Sequence, residues 1–199
     1  MAGTEDPPNF IPRFIQKQLD NPPLLAGESL VEFKSLFRQL EWSDKEGPKT
    51  VAEYVIIYQA TILIWNLRRL ERMRVAIIRH QRPAAVAAML RRTGEYGCAE
   101  PGSPFFYQAN LEAQAYFGSE DVKKQAEGKF LAGGYGPDAI DVEAFQLALQ
   151  TTAVIDRQVA AAEKQLTAFL KELDRRHMNR AQHMRNVAMK TVSRAQAAE

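Results

Sequence analysis

Nine side chains between Phe145 and Leu173 constrain the fold of this chain more than any others. Phe145, Ala148, Thr152, Ile155, Val159, Ala162, Leu166, Phe169 and Leu173 alternate steps of three and four through four heptads. That spacing keeps one seam of an α-helix against a second helix along its length. A seam this long needs a partner, and the chain holds one. Ile56, Ala60, Leu63, Leu67, Leu70, Arg74 and Ile77 repeat the alternation. The capping-box spacing "TVAE" at Thr50–Glu53 opens this second helix, and no glycine or proline interrupts it before Pro83. It is a rod of roughly 46 Å at 1.5 Å per residue. Tyr58 and Trp65 fall opposite its seam, so its first half should be covered on several faces and its second half on one. Pro83 is expected to start or kink into a short alanine-rich helix, "AAVAAML", which stops at Gly94.

Charge orients the pair. From Arg68 to Arg92 there are eight arginines and one acid, whereas Glu95 to Glu163 carries eleven acids and four bases. An antiparallel pairing sets the arginine-rich end of the first rod beside the acidic start of the second, at Asp138, Asp141, Glu143 and Asp156. A parallel pairing would bring it near Lys164, Lys171 and Arg175. The expected fold is all-α, a long antiparallel helical hairpin (about 50–82 and 138–176) padded by short helices. One such helix should follow the capping-box spacing "SLVE" at Ser29–Glu32, burying Leu30, Phe33, Leu36, Phe37 and Leu40. Two more are expected near Tyr107–Phe117 and Ser119–Leu131, the latter ended by "GGYG" at Gly133–Gly136. Residues 1–26 hold five prolines and read as an irregular arm whose "FIPRFI" piece can dock through its phenylalanines. Residues 27–176 then form a single helical domain, and 177–199 a basic, Met-rich tail.

Composition narrows the class. Hydrophobic residues make up 46% and charged residues 25% of 199, the balance of an ordinary globular chain. The one cysteine, Cys98, excludes an internal disulfide framework and fits a reducing compartment. The N-terminus lacks the basic start and apolar run of a secretory signal. The longest apolar run, Tyr54–Leu67, is interrupted by Gln59 and Thr61 and falls short of the ~20 residues that cross a bilayer. A cytoplasmic protein with no membrane span is expected.

Three stretches, "PPLLAGESLVEFKSLF", "WNLRRLERMRVAII" and "VIDRQVAAAEKQLTAFLKELDRR", resemble in order and spacing a family of small all-helical bacterial proteins. The family is found mainly in rhizobia and related proteobacteria. Its pattern is a P-L-L-x-G-E entry, a W-x-x-x-R-x-R-R helix and a late I-D-R…A-E helix, and the likeness covers roughly residues 22–80 and 138–176. This chain has "AEKQL" where the family has a pair of arginines, so no role for such a pair carries over. The resemblance implies the helical architecture and brings no activity, ligand or catalytic residue with it.

The residues show no catalytic or metal-binding pattern. Cys98 sits in a Gly/Pro-rich stretch, and His80, His177 and His183 have no companion motif for nucleophilic chemistry. His177 and His183 are six apart, on opposite sides of a helix, the wrong spacing for one metal. "GGYGPD" follows no strand and lacks a lysine, so it reads as a helix stop rather than a phosphate cradle. No catalytic residue, cofactor or metal is assigned.

The basic residues divide in two. Arg69 and Arg74 lie beside or on the seam, as do Asp156 and Glu163 on the other rod, and an arginine there needs a carboxylate. Arg69 or Arg74 is therefore expected to pair with Asp156 and fix the register. Arg68, Arg72 and Arg79 point away from the seam and, with Arg175, Arg176, Arg180, Arg185, Lys190 and Arg194 of the tail, are candidate phosphate contacts. The acidic block that can neutralise them, and the absence of interleaved aromatics, count against a single-strand platform. The reading is a non-enzymatic helical interaction protein, self-associating or an adaptor, with a protein partner or a second copy. Its alternative is a nucleic-acid-associated protein using the basic face and tail.

Overall fold

A computed structural model describes residues 11–42, 49–93 and 101–196, with side chains except those of Trp42 and 191–196. Residues 1–10, 43–48 and 197–199, and the segment 94–100 that holds Cys98 and the expected stop at Gly94, lie outside them. The described residues are all-α: α1 (Arg13–Asp20), α2 (Leu30–Trp42), α3 (Val51–Arg92), α4 (Pro104–Tyr116), α5 (Glu120–Ala132) and α6 (Ala139–Gln196). They fall into two compact units. Unit 1 takes residues 1–68 and 160–199, and unit 2 takes 69–159, so α3 and α6 each contribute to both.

In unit 1 the capping boxes form as their spacing predicts. The Glu32 amide donates to Ser29 Oγ at 3.2 Å. The Glu53 amide donates to Thr50 Oγ1 at 3.3 Å, and Glu53 Oε2 accepts from the Thr50 amide at 2.6 Å. The core joins Ile15 and Leu19 of α1, Phe33, Leu36 and Phe37 of α2, and Tyr54, Ile57, Tyr58 and Trp65 of α3, with Leu173 of α6 packed on it. Phe33 meets Trp65 and Tyr58 edge-on at 5.5 and 6.4 Å. The start of α3 is thus covered opposite its seam, as expected. Part of the proline-rich arm is helix, however, and it docks through Ile15, while Phe14 stays 46% exposed. The entry loop has its own lock. Gly27 is left-handed at φ 84°, and Glu28 Oε2 accepts from the Leu25 amide and from Trp65 Nε1, each at 2.9 Å.

In unit 2, α3 runs through Pro83 to Arg92 instead of giving way to a separate helix. Proline removes one backbone hydrogen bond and costs about 3 kcal/mol inside a helix. The next two turns offset this, because Val86, Met89 and Leu90 are at most 1% exposed and each contributes about 1.5–3 kcal/mol by burial. They pack with Ala109, Ala113 and Tyr116 of α4, Ala126 and Phe130 of α5, and Ile140 and Ala144 of α6. Alanines at these contacts permit close helix approach. Ser103 caps α4, its Oγ accepting from the Phe106 amide, and Pro104 fills the first helical position. Arg91 lies over the Phe106 ring at 4.7 Å, seating α4 on α3.

The α6 seam matches its heptads. Ala148, Thr152 and Ile155 are buried, and Val159, Ala162, Leu166, Phe169 and Leu173 are half-buried. Phe145 is 37% exposed. The helix does not stop near residue 176. No glycine or proline follows Pro137, so it runs on to Gln196, with Arg176, His177, Arg180 and Ala181 half-buried and residues 182–190 exposed.

"GGYG" does stop α5. The Tyr135 amide donates to the Phe130 carbonyl and the Gly134 amide to that of Leu131, with Gly134 left-handed at φ 79° and Phe130 against Tyr135 at 6.4 Å. This is a complete Schellman motif. Gly134→Ala should destabilise the protein by about 1 kcal/mol, because a Cβ disfavours that φ. Urea unfolding that matches the unsubstituted chain would contradict this.

Candidate interaction surface

Each unit holds its α3 and α6 segments together through one buried carboxylate. In unit 1 this is Glu53, 1% exposed. Besides closing the α3 capping box, it accepts from Thr50 Oγ1 at 2.9 Å and from the Arg180 guanidinium of α6. Burial pushes its pKa up, but the Thr50 amide, the Thr50 hydroxyl and Arg180 outweigh that and leave it below the ordinary 4.5. Beside it Tyr54 Oη donates to buried Glu41 at 3.0 Å. Burial and then the Glu41 carboxylate raise the Tyr54 pKa, so this phenol stays protonated.

In unit 2 the buried carboxylate is Glu143. Arg92 grips it with two bonds, Nη1 to Oε2 at 2.6 Å and Nη2 to Oε1 at 2.7 Å. The Glu143 side chain is 10% exposed. Two looser contacts extend the ladder. Arg82 Nε lies 3.0 Å from Asp141 Oδ1 and Arg74 Nε lies 3.4 Å from Asp156 Oδ1. Arg82 Nε makes no directed hydrogen bond, so its contact is ionic. Arg92 with Glu143 and Arg74 with Asp156 climb α3 while descending α6, which is antiparallel. Between α4 and α5, Lys129 meets Glu112 at 3.0 Å, and Tyr116 Oη donates to Glu127 at 3.1 Å. Burial, then that carboxylate, pushes the Tyr116 phenol up to about 12.

The register pair is thus Arg74 with Asp156. Arg69 is half-buried and engaged elsewhere. Glu163 is exposed, and its carboxylate makes no ion pair among the described residues, because its position lies off the covered seam. Several candidate phosphate contacts are already committed. Arg175 and Arg176 both bind Glu172, and Arg180 binds Glu53. The two guanidiniums hold the Glu172 pKa down at about 2. Arg68 and Arg72 are exposed but not without partners, while Arg79, Arg185 and Lys190 are exposed. The Arg194 side chain lies outside the described residues. Among those residues no three His, Cys, Asp or Glu side chains converge as a metal site, and no helix is long and apolar enough to cross a membrane.

What stands out instead is a part of α6 in unit 2. Residues 144–155, "AFQLALQTTAVI", contain no charged side chain. One side, Ala144, Ala148, Thr152 and Ile155, is buried. The rest faces outward, with Phe145 37%, Leu147 45%, Leu149 47% and Val154 47% exposed, and Val142 just before at 54%. The same helix from Asp156 to Arg194 carries thirteen charged residues. Depletion of charge around exposed aliphatic and aromatic side chains is the mark of a protein contact surface. The heptad pattern assigns Phe145 to the inner seam and passes over Leu147, Leu149 and Val154. The signal for them is the missing charge.

Two predictions follow from the carboxylates. Glu143→Gln should cost about 2 kcal/mol, because it breaks a bidentate contact to a buried carboxylate whose arginine partner is half-exposed. Asp156→Asn should stay within about 0.5 kcal/mol, since both partners of that pair are half-exposed. Equal losses in denaturant unfolding would contradict this ranking. For Glu53, a folded pKa below 4.5 means its stabilisation is complete above that value and is lost as pH falls through the folded one. Glu53→Gln should therefore lower stability by about 3 kcal/mol at pH 7 and flatten the acid limb of the stability–pH curve. An acid limb unchanged by the substitution would contradict the assignment.

No family model, curated protein or solved structure matches the chain.

Proposed function

We propose that this chain is a non-enzymatic helical interaction protein whose contact surface is the uncharged stretch of α6 in unit 2. The observation that carries the reading is the combination of no charge over residues 144–155 with exposed Phe145, Leu147, Leu149 and Val154. A helix covered on one side keeps its other side wet with charged residues, as α6 itself does beyond Asp156. Leaving aliphatic side chains there instead forgoes about 25 cal/mol for each Å² of apolar area that a partner would remove from water. The committed cations support the same reading, because Arg175, Arg176 and Arg180 already neutralise carboxylates of their own chain.

A photo-crosslinking side chain at position 149, in protein made in its own cells, should yield an adduct of discrete mass. The same group at Lys164, on the exposed and charged part of α6, should yield none. No adduct from 149, or equal adducts from both positions, would overturn the reading.

A further inference from the structure

We infer that a second copy of the chain occupies the side of this surface that carries Val142 and Leu149, its α6 lying antiparallel across the first. The inference rests on the preceding reading of residues 144–155 as a contact surface.

The charges at the two ends of the stretch choose the occupant and its direction. Asp138 stands exposed at the entry to α6, and Arg157 stands exposed just beyond the stretch. Neither has an ion-pair partner among the described residues. Arg157 Nε donates only to the Ala153 carbonyl of its own helix, at 3.3 Å. The neighbouring acids Asp141, Glu143 and Asp156 are engaged by Arg82, Arg92 and Arg74. One acid and one base are therefore left at opposite ends of an uncharged face. A parallel second copy would set Asp138 against Asp138 and Arg157 against Arg157. An antiparallel copy sets each against its opposite, twice, about a two-fold axis.

The side chains between them fit that register. Val142, Gln146, Leu149 and Ala153 follow steps of four and three, so they share one face of the helix. With Asp138 opposite Arg157, Val142 lies opposite Ala153 and Gln146 opposite Leu149. No charged side chain lies between Val142 and Ala153 on this face, and small Ala153 lets the backbones approach. The contact spans about 28 Å of helix at 1.5 Å per residue. A single helix face of that length buries less than the ~800 Å² per partner of a stable complex, so the dimer is weak, with a Kd of roughly 10–100 µM.

Sedimentation equilibrium of the full chain from about 1 to about 300 µM tests this. The wild type should pass from monomer to dimer in that range. Leu149→Glu should remain monomeric throughout, with an unchanged helical circular dichroism spectrum and melt, because Leu149 is 47% exposed. Asp138→Lys and Arg157→Glu should each weaken the dimer about tenfold by opposing like charges, and the two together should restore it. A dimer indifferent to Leu149→Glu overturns the surface as the dimer contact, and failure of the double reversal to restore overturns the antiparallel register. A chain monomeric at every concentration overturns the dimer alone, since an adduct from position 149 with a mass other than twice the chain still upholds the contact surface. No adduct at all overturns both.

Discussion

Glu53 does two jobs with one carboxylate, and unit 1 depends on both. Its Oε2 atom caps the first turn of α3, and its Oε1 atom receives Arg180 from α6. A group 1% exposed is costly to ionise unless every lone pair is used, and here Thr50 and Arg180 use them. The start of one long helix is thereby tied to a specific residue of the other, 127 positions later. Glu143 plays the matching part in unit 2 through Arg92. Apolar seams built on heptads tolerate slippage by a whole repeat, because every heptad looks alike. A buried carboxylate with a single available cation does not, so the ion pairs select the register that the apolar residues merely permit.

This division of labour explains which features were legible in the sequence. The Ser29 and Thr50 capping boxes, the α6 heptads, the Gly133–Gly134 stop and the antiparallel order each have a local or pairwise cause. The arginine block beside an acidic block became real contacts at Arg74, Arg82 and Arg92. What misled were residues whose behaviour depends on neighbours. Pro83 breaks an isolated helix but not one whose next turns are fully buried. Ile15 outcompetes Phe14 because the helix there turns the isoleucine inward. The tail seemed detachable because its apolar residues thin out, yet nothing after Pro137 could end the helix.

The candidate surface was less legible for a different reason. A seam is found by what recurs, whereas residues 144–155 are distinguished by what is missing. Arg180, by contrast, was visible only as one more base in a basic tail. Its real role appears when Glu53 is seen to be buried, since a buried carboxylate must find a cation and α6 supplies it. The "PPLLAGE" entry and the tryptophan helix meet in one contact. Trp65 donates to Glu28, and Gly27 adopts the left-handed turn that presents it.

The contrast along α6 bears on function class. Beyond Asp156 the helix alternates a half-buried seam with charged residues, the composition of a rod that keeps one side in water. Between Ala144 and Ile155 the same helix has the composition of a rod surrounded on all sides, yet among the described residues only one side is covered. Leu147, Leu149 and Val154 are each close to half exposed, at positions where a solvated helix face ordinarily carries glutamate or lysine. Exposed apolar residues raise the chance of unwanted association, and burial by a partner is the role proposed for them above. The buried carboxylates, by contrast, are already engaged within the chain, Glu53 by Thr50 and Arg180, Glu143 by Arg92 and Glu41 by the Tyr54 phenol.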